Sequence, residues 1–471
     1  MSMILIGFIV TLVLFILIGA ASMRVSRGEV SDYLVAGRSV SPWVAGLSAV
    51  ASNNSGFMFI GAIGFTYHYG LSAFWLFFAW LLGDYCSWFF VHERLRERSE
   101  AQGNDSVTGF LAHDGERSDR RLEVILGSLT VLFLTLYAAA QLKAGGKALE
   151  STIGWAPTSG IYMGAVMVAI YSFAGGIRAS LWTDVAQAMV MIVAMAALTW
   201  VCHSELVSVG ELLERLGEID PNLLTWTPSD ATLGLAPYAL GWFLAGFGGI
   251  GQPHMIVRAM TVESPQSVCL MRRVYFTWYT LFSVFTMLVG LYSRVYFEGV
   301  GAQSFDKETA LPLLASAHLA PLWVGLILAA LFAASMSTAD SQVLASSASL
   351  TQDVAPQYRS SYKASKLATL SVVLLSMGVA LYGPKSVFEL VTLAWGLMMT
   401  CFAPLMIARV SRWEISPSSA LVAAAVGLSG MLLWKYYLIL GDACYEGAVG
   451  FLVSMPLVLA LSSRDRLRNE S

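Results

Sequence analysis

Apolar runs of about 20 residues recur along the whole of this chain, and each can cross a hydrocarbon core of about 30 Å. No other feature restricts the fold as much. Backbone amides in lipid find partners only in helices or closed barrels, and long continuous runs mean helices. Hydrophobic residues make up 56% of the 471 and charged residues 13%, against about 25% charged in soluble domains. No soluble domain is left over. The expected fold is an all-α integral membrane protein of about 13 transmembrane helices, over residues 3–23, 41–67, 71–92, 122–148, 158–174, 180–203, 235–257, 270–296, 317–346, 364–382, 387–410, 417–437 and 445–463. The first run starts uncharged, with Arg24 and Arg27 behind it. That order of charge is the reverse of a secretory signal and predicts a retained helix.

With thirteen spans the termini lie on opposite sides, and basic residues in short loops decide which. Of the 28 lysines and arginines, 21 fall in the connecting segments that would be inside if the N-terminus is outside, six fall in the others, and Lys143 lies within a span. The expectation is an N-terminus outside and a C-terminus in the cytoplasm of a cell whose inner membrane holds the chain. Segment 204–234, outside on this reading, is acidic and is expected to be a solvated cap with a short amphipathic helix near residues 211–216. Segment 94–121, inside, mixes both signs and reads as a solvated connector. The net charge of −3 gives no sign of a nucleic-acid partner. The five cysteines have no CxxC spacing, which argues against a metal cage or a disulfide framework. The partners implied are a small solute and the lipid bilayer, and no obligatory protein partner is evident.

Two of the spans are interrupted. The second contains Ser52-Asn53-Asn54-Ser55-Gly56 between apolar halves, and the seventh contains Gly246, Gly248, Gly249 and Gly251 before Gln252-Pro253-His254. Proline removes a backbone donor and glycine lowers the cost of unwinding. Each break sits in the first helix of a five-helix group, the pattern of inverted repeats whose freed backbone lines a binding site at mid-membrane. The bland alternative is close helix packing through small residues. The resulting organisation is a leading helix and loop (1–40), a first repeat (41–203), an outer loop (204–234), a second repeat (235–410) and two further helices with a short tail (411–471).

Sodium, a hard cation, takes oxygen ligands. In the ninth span Ser337, Asp340 and Ser341 share one helix face, with Thr338 beside them and Ala334 one turn before. Their oxygens complement carbonyls freed between Ala51 and Asn54, unless the hydroxyls bond back to their own helix. Carboxylates deep in lipid are costly and point to function. Asp184 opens the sixth span and Asp340 lies deep in the ninth, while Asp84 and Lys143 could neutralise partners within the bundle. His254 reads as a satisfied helix-end histidine. No nucleophile–histidine–acid grouping appears, so an enzyme is not indicated.

The same residues resemble the sodium/solute symporter family over essentially the full length. The resemblance rests on Asp32-Tyr33-Leu34-Val35-Ala36-Gly37-Arg38, the break at residues 51–56, Tyr171-Ser172-Phe173-Ala174-Gly175-Gly176-Ile177-Arg178-Ala179 with Trp182-Thr183-Asp184, Gly251-Gln252-Pro253-His254, and Met336-Ser337-Thr338-Ala339-Asp340-Ser341. Ile177 departs from the usual Leu, Met or Phe of that signature. The Gln-Pro-His run with Ile256-Val257-Arg258 is most similar to the bacterial sodium/proline symporter branch. The resemblance implies a co-transported sodium ion on the backbone of Ala51, Asn54 and Ala334 and the hydroxyls of Ser337 and Thr338. A second sodium, found in some members, would map to Asp184, Ser337, Asp340 and Ser341, although Asp184 as a helix cap is the alternative. The solute is expected between the two breaks, touching Asn53, Ser55, Gly56, Trp242, Phe247 and Gln252, with Tyr137 and Gln141 closing one side. Proline symporters carry aspartate where Asn53 stands and aromatic residues where Gly249 and Ala245 stand, which predicts a pocket widened on the seventh-span side. The function implied is sodium-coupled symport of a small organic solute, most simply an amino acid such as proline, by alternating access. The alternatives are sodium- or proton-coupled transport of a carboxylate or other solute, and a membrane solute sensor.

Overall fold

The computed structural model describes residues 3–22, 24, 28–114, 117–228, 231–298, 306–384 and 386–470. Arg27 and Lys385, both part of the charge tally, lie outside the described residues. Strand pairing among the described residues is limited to a two-residue ladder, His113–Asp114 with Arg117–Ser118, and one bridge between Val40 and Val262. Everything else is helix and connection. Chain order gives α1 (Met3–Ser22), α2 (Val30–Val35), α3 (Pro42–Asn53), α4 (Ala62–Tyr69), α5 (Phe74–Phe90), α6 (His92–Ala101), α7 (Val107–Ala112), α8 (Arg120–Ile153), α9 (Pro157–Glu205) and α10 (Val209–Ile219). It continues with α11 (Leu235–Phe247), α12 (Pro253–Thr261), α13 (Ser267–Tyr296), α14 (Ala310–His318), α15 (Pro321–Ala348), α16 (Tyr362–Tyr382), α17 (Val387–Ser411), α18 (Pro417–Leu432) and α19 (Glu446–Glu470). Among the described residues, nine helices are long and apolar enough to cross a membrane, and three shorter apolar helices accompany them. This is an all-helical membrane protein; helix length and composition alone do not fix the crossing number at thirteen.

Both interrupted spans are broken where the small and polar residues stand. The second divides into α3 and α4, with a wide turn at Phe57–Gly61 between them. The seventh divides into α11 and α12 at an extended Gln252, after which Pro253 supplies a pre-set first turn to α12. At the first break the chain approaches its neighbours too closely for a side chain: a Cβ on Gly56 would sit 2.5 Å from the Ser335 hydroxyl and 2.8 Å from the Ala144 methyl. The post against which these helices stand is α15. Its residues 327–344 are buried throughout, and alanine and serine at most of them let α8 and α9 draw near.

α9 covers the fifth and sixth expected spans as one element with a kink at Gly176 (φ 58°, ψ −144°). There the two signature segments meet. The Tyr33 hydroxyl donates to the Ser172 carbonyl at 2.7 Å, and Arg178 donates to Asp32 at 2.5 Å and to the Ala36 carbonyl at 2.8 Å. A Cβ on Gly176 would lie 2.4 Å from the Tyr33 carbonyl oxygen, and L-residues pay for this backbone region. Gly176→Ala is therefore expected to lower the melting temperature in detergent and the yield of monodisperse protein, and a variant as stable as the parent would show that the α2–α9 junction is not tight.

Two readings of the connecting segments are corrected. Segment 94–121 is no solvated connector: Leu95, Arg96, Phe110 and Leu111 are fully buried. From α6 and its surroundings, arginines reach the carbonyl ends of other helices: Arg96 to Val262 at 2.6 Å, Arg98 to Arg409 at 2.7 Å and Arg38 to Met260 at 3.2 Å. Such carbonyls are the unsatisfied groups at helix C-termini. Second, Arg258, counted with the loops, lies inside the bundle on α12 and is 1% exposed. The amphipathic helix of the acidic segment is present as α10, started by a capping box between Ser208 and Glu211.

Candidate functional site

At the α3 break the backbone turns away from helical geometry at Asn54 (φ −85°, ψ 72°), which leaves the preceding carbonyls without a continuing helix. The oxygen-bearing face of α15 meets them. The Ser337 hydroxyl donates toward the Ala51 carbonyl at 3.1 Å and the Ala334 carbonyl at 3.0 Å. That of Thr338 donates toward the Ser52 carbonyl at 3.0 Å and again toward Ala334 at 3.1 Å. Both sequence readings therefore hold at once, since each hydroxyl bonds back to its own helix and also across to α3. The result is a buried knot of neutral oxygens from two elements, the donor set a hard monovalent cation takes. Ala51, Ala334, Ser337 and Thr338 are brought together. The Ser52 carbonyl joins them without having been foreseen. Asn54 enters through other bonds: its amide nitrogen donates to the Val50 carbonyl at 3.0 Å, and its side-chain oxygen is buried with no hydrogen-bond partner. Among the described residues no three histidine, cysteine or acidic side chains gather as a metal cage.

The second group is not arranged as an open carboxylate pair. Asp184 does not cap a helix; it lies within α9, and its Oδ2 receives the Ser48 hydroxyl at 2.5 Å and the Arg258 guanidinium at 3.4 Å. Asp340 accepts from Ser172. Ser341 accepts from Arg258 and donates to the Ser337 carbonyl at 2.7 Å. Sequence reading missed Arg258 because one arginine near a span end counts as a loop charge.

Two cavities bear on a solute. One of about 490 Å³ lies at the end opposite the arginine-rich face and is lined by Phe65, Tyr238, Trp242, Glu308, Phe388 and Tyr445 among others. That volume is ordinary for a small-molecule pocket. The other, about 20 Å³, lies deeper, between Asn53, Phe57, Trp80, Tyr137, Tyr279 and Trp395. It holds roughly one water. An aromatic layer divides them: Phe388 stacks on Phe57 with centroids at 5.3 Å and on Phe65 at 5.5 Å, and Trp242 stacks on Trp80 at 6.1 Å.

The predicted solute contacts divide accordingly. Asn53 and Tyr137 line the deep cavity and Trp242 the larger one. The Gly56 amide already donates to Gln141 Oε1 at 3.0 Å, and the Phe57 amide to the Ser55 hydroxyl at 3.2 Å, so side-chain acceptors hold the amides foreseen for a substrate carboxylate. Gln252 Nε2 donates to the Trp395 carbonyl at 3.1 Å, with Oε1 unpartnered. Phe247 instead packs edge-on against Phe451 of α19 and lines neither cavity. The expected widening is absent. Trp395 from α17 restores the bulk: its indole donates to the Ala245 carbonyl at 2.9 Å, and its ring edge is 3.9 Å from where a Gly249 side chain would begin. Asp84 and Lys143 do not pair with each other; Asp84 accepts from Tyr275 at 2.6 Å, Tyr275 accepts from Asn53 at 2.7 Å, and Lys143 donates to the Gly383 carbonyl at 3.1 Å. His254 is not satisfied: both ring nitrogens are buried without a hydrogen-bond partner, and the ring meets Tyr137 edge-on at 5.4 Å.

Breaking two helices in mid-membrane and pinning one to a straight hydroxyl-bearing helix is how a bundle offers carbonyls to a cation while a solute cavity opens alongside. This defines a cation-coupled secondary transporter of the broken-helix class. Residues 33–427 match the sequence model of the Sodium:solute symporter family, and the chain belongs to that family. It is 29% identical to the high-affinity proline transporter PutP of Bacillus subtilis over 92% of each chain. It is 31% identical to sodium/proline symporter 2 of Staphylococcus saprophyticus, over 90% of this chain and 84% of that protein. With the sodium/proline symporter of Escherichia coli it shares 29% identity over 95% and 90%. Its fold is that of a Na+-coupled sialic acid symporter solved in a substrate-bound outward-open state (TM-score 0.82, 19% identity, 98% of each chain). The closed conformation of the nucleobase-cation-symport-1 family transporter MHP1 is more distant (TM-score 0.62, 16% identity, 92% of this chain and 95% of that one). The protein is a sodium-coupled solute symporter and not an enzyme.

Proposed function

We propose that the solute is proline or an amino acid of similar size, imported with sodium by alternating access. The sodium ion binds the carbonyls of Ala51, Asn54 and Ala334 and the hydroxyls of Ser337 and Thr338. The observation that carries this is the crossing of both hydroxyls from α15 to the α3 carbonyls, because an ion replacing those hydrogen bonds would tie the broken helix to the post. The solute stands at the aromatic layer, with Asn53, Ser55, Gly56, Tyr137, Gln141, Trp242 and Gln252 around it. Its carboxylate displaces Gln141 from the Gly56 amide, since a helix start favours an anion. Proline transport by three similar proteins supports the substrate class. The chain crosses the inner membrane thirteen times, N-terminus outside, with residues 41–203 and 235–410 as the inverted repeats. On this orientation the 490 Å³ cavity faces outward.

Proteoliposomes loaded with potassium and diluted into sodium buffer should accumulate labelled proline, with no uptake when potassium replaces sodium outside. Sodium-driven uptake of another carboxylate, unaffected by excess proline, would replace the substrate assignment.

A further inference from the structure

We propose that Arg258 is a fixed cation in the second acidic pocket, held by its own backbone where a second sodium would otherwise bind. The guanidinium is buried at the centre of the group that the family resemblance assigns to that sodium. Its Nη2 donates to Asp184 at 3.4 Å, to Ser180 at 3.3 Å and to Ser341, and its Nε donates to Ser48 at 3.3 Å. Its Nη1 donates to the His254 carbonyl one turn back. One side chain thus joins α3, α9, α12 and α15.

Hydroxyl valence excludes a further ligand role for Ser341. A serine hydroxyl has one proton and two lone pairs. The Ser341 proton goes to the Ser337 carbonyl at 2.7 Å, so in the 2.9 Å contact with Ser52 it is Ser52 that donates. Arg258 takes the remaining lone pair. Ser341 therefore has nothing left for sodium while the guanidinium stays.

Charge leads to the same result. Asp184 and Asp340 both lie within electrostatic reach of Arg258, so the cluster carries a formal charge of −1. One sodium at the Ser337–Thr338 knot brings it to zero. A second would leave a buried uncompensated positive charge, which an interior does not tolerate. The consequence is one sodium per solute. This rests on the main sodium site proposed above.

The test is equilibrium binding of labelled sodium to purified protein, with the concentration dependence of sodium-driven thermal stabilisation as second readout. The wild type should bind one sodium with a Hill coefficient of 1. Arg258→Gln should bind two, with a Hill coefficient above 1, because the vacated pocket regains two free carboxylates. Arg258→Lys should stay at one. If Arg258→Gln is too unstable to purify, Arg258→Gln with Asp184→Asn removes both charges together and should bind one. Two ions on the wild type, or a single ion on purified Arg258→Gln, would overturn the proposal. Failure of the main-site reading is distinguishable, since it shows as unchanged sodium affinity in Ser337→Ala and Thr338→Ala.

Discussion

Ser337→Ala and Thr338→Ala are each expected to weaken sodium binding roughly 10- to 100-fold, taking about 1.5–3 kcal/mol for one polar contact to a charged partner. Each hydroxyl already spans two carbonyls, one on α15 and one on α3. Removing it deletes one oxygen from the ion's shell and the link that closes α3 onto the post. Linkage then requires solute affinity, measured at a fixed subsaturating sodium concentration, to fall as sodium occupancy falls. Thr338→Ser keeps the oxygen and should retain most of the affinity, while Thr338→Val keeps the shape and should not. That contrast separates ligation from packing. Titrating intrinsic fluorescence or thermal stability with sodium measures the effect without transport. If both alanine variants keep the parental half-saturation, the ion does not bind at this knot.

How much of this could be read from the chain depends on whether a residue's role is local. The breaks were legible because Asn53, Asn54, Gly56, Gly251 and Pro253 act on their own backbone. The Ser337–Thr338 pair was legible because helical spacing alone aligns it. Arg258 was not, since a charge at a span end is indistinguishable from a loop charge until its partners on three other helices are known. Trp395 was missed for the opposite reason. A tryptophan in an apolar helix carries no sign of whether it faces lipid or a cavity, so the space conceded by Gly249 and Ala245 looked vacant. Segment 94–121 misled through its mixed charges, whose partners are helix-end carbonyls that leave no mark in a sequence.

Trp395→Ala is expected to lower affinity for a small native solute by roughly tenfold or more, and to admit bulkier amino acids. The ring is 2% exposed and lies against Trp80 with centroids at 4.9 Å. It forms one wall of the 20 Å³ cavity beside Asn53, Tyr137 and Tyr279. Its deletion removes a buried apolar surface of the kind worth about 1.5–3 kcal/mol when covered, and takes the indole donor from the Ala245 carbonyl. The Gln252 contact survives, because it is made to the Trp395 backbone. Gly249 and Ala245 cannot refill the space, so the cavity must grow toward α11. Trp395→Phe keeps a ring without the Nε1 donor and should fall between the two. Sodium binding measured without solute should keep its parental value, since the ring does not touch the α3–α15 knot. Competition of labelled proline uptake by a size series of amino acids reads the outcome: larger competitors that fail against the wild type should become effective. An unchanged competitor profile together with unchanged proline affinity would remove Trp395 from the solute path and, with it, the placement of the solute at the aromatic layer.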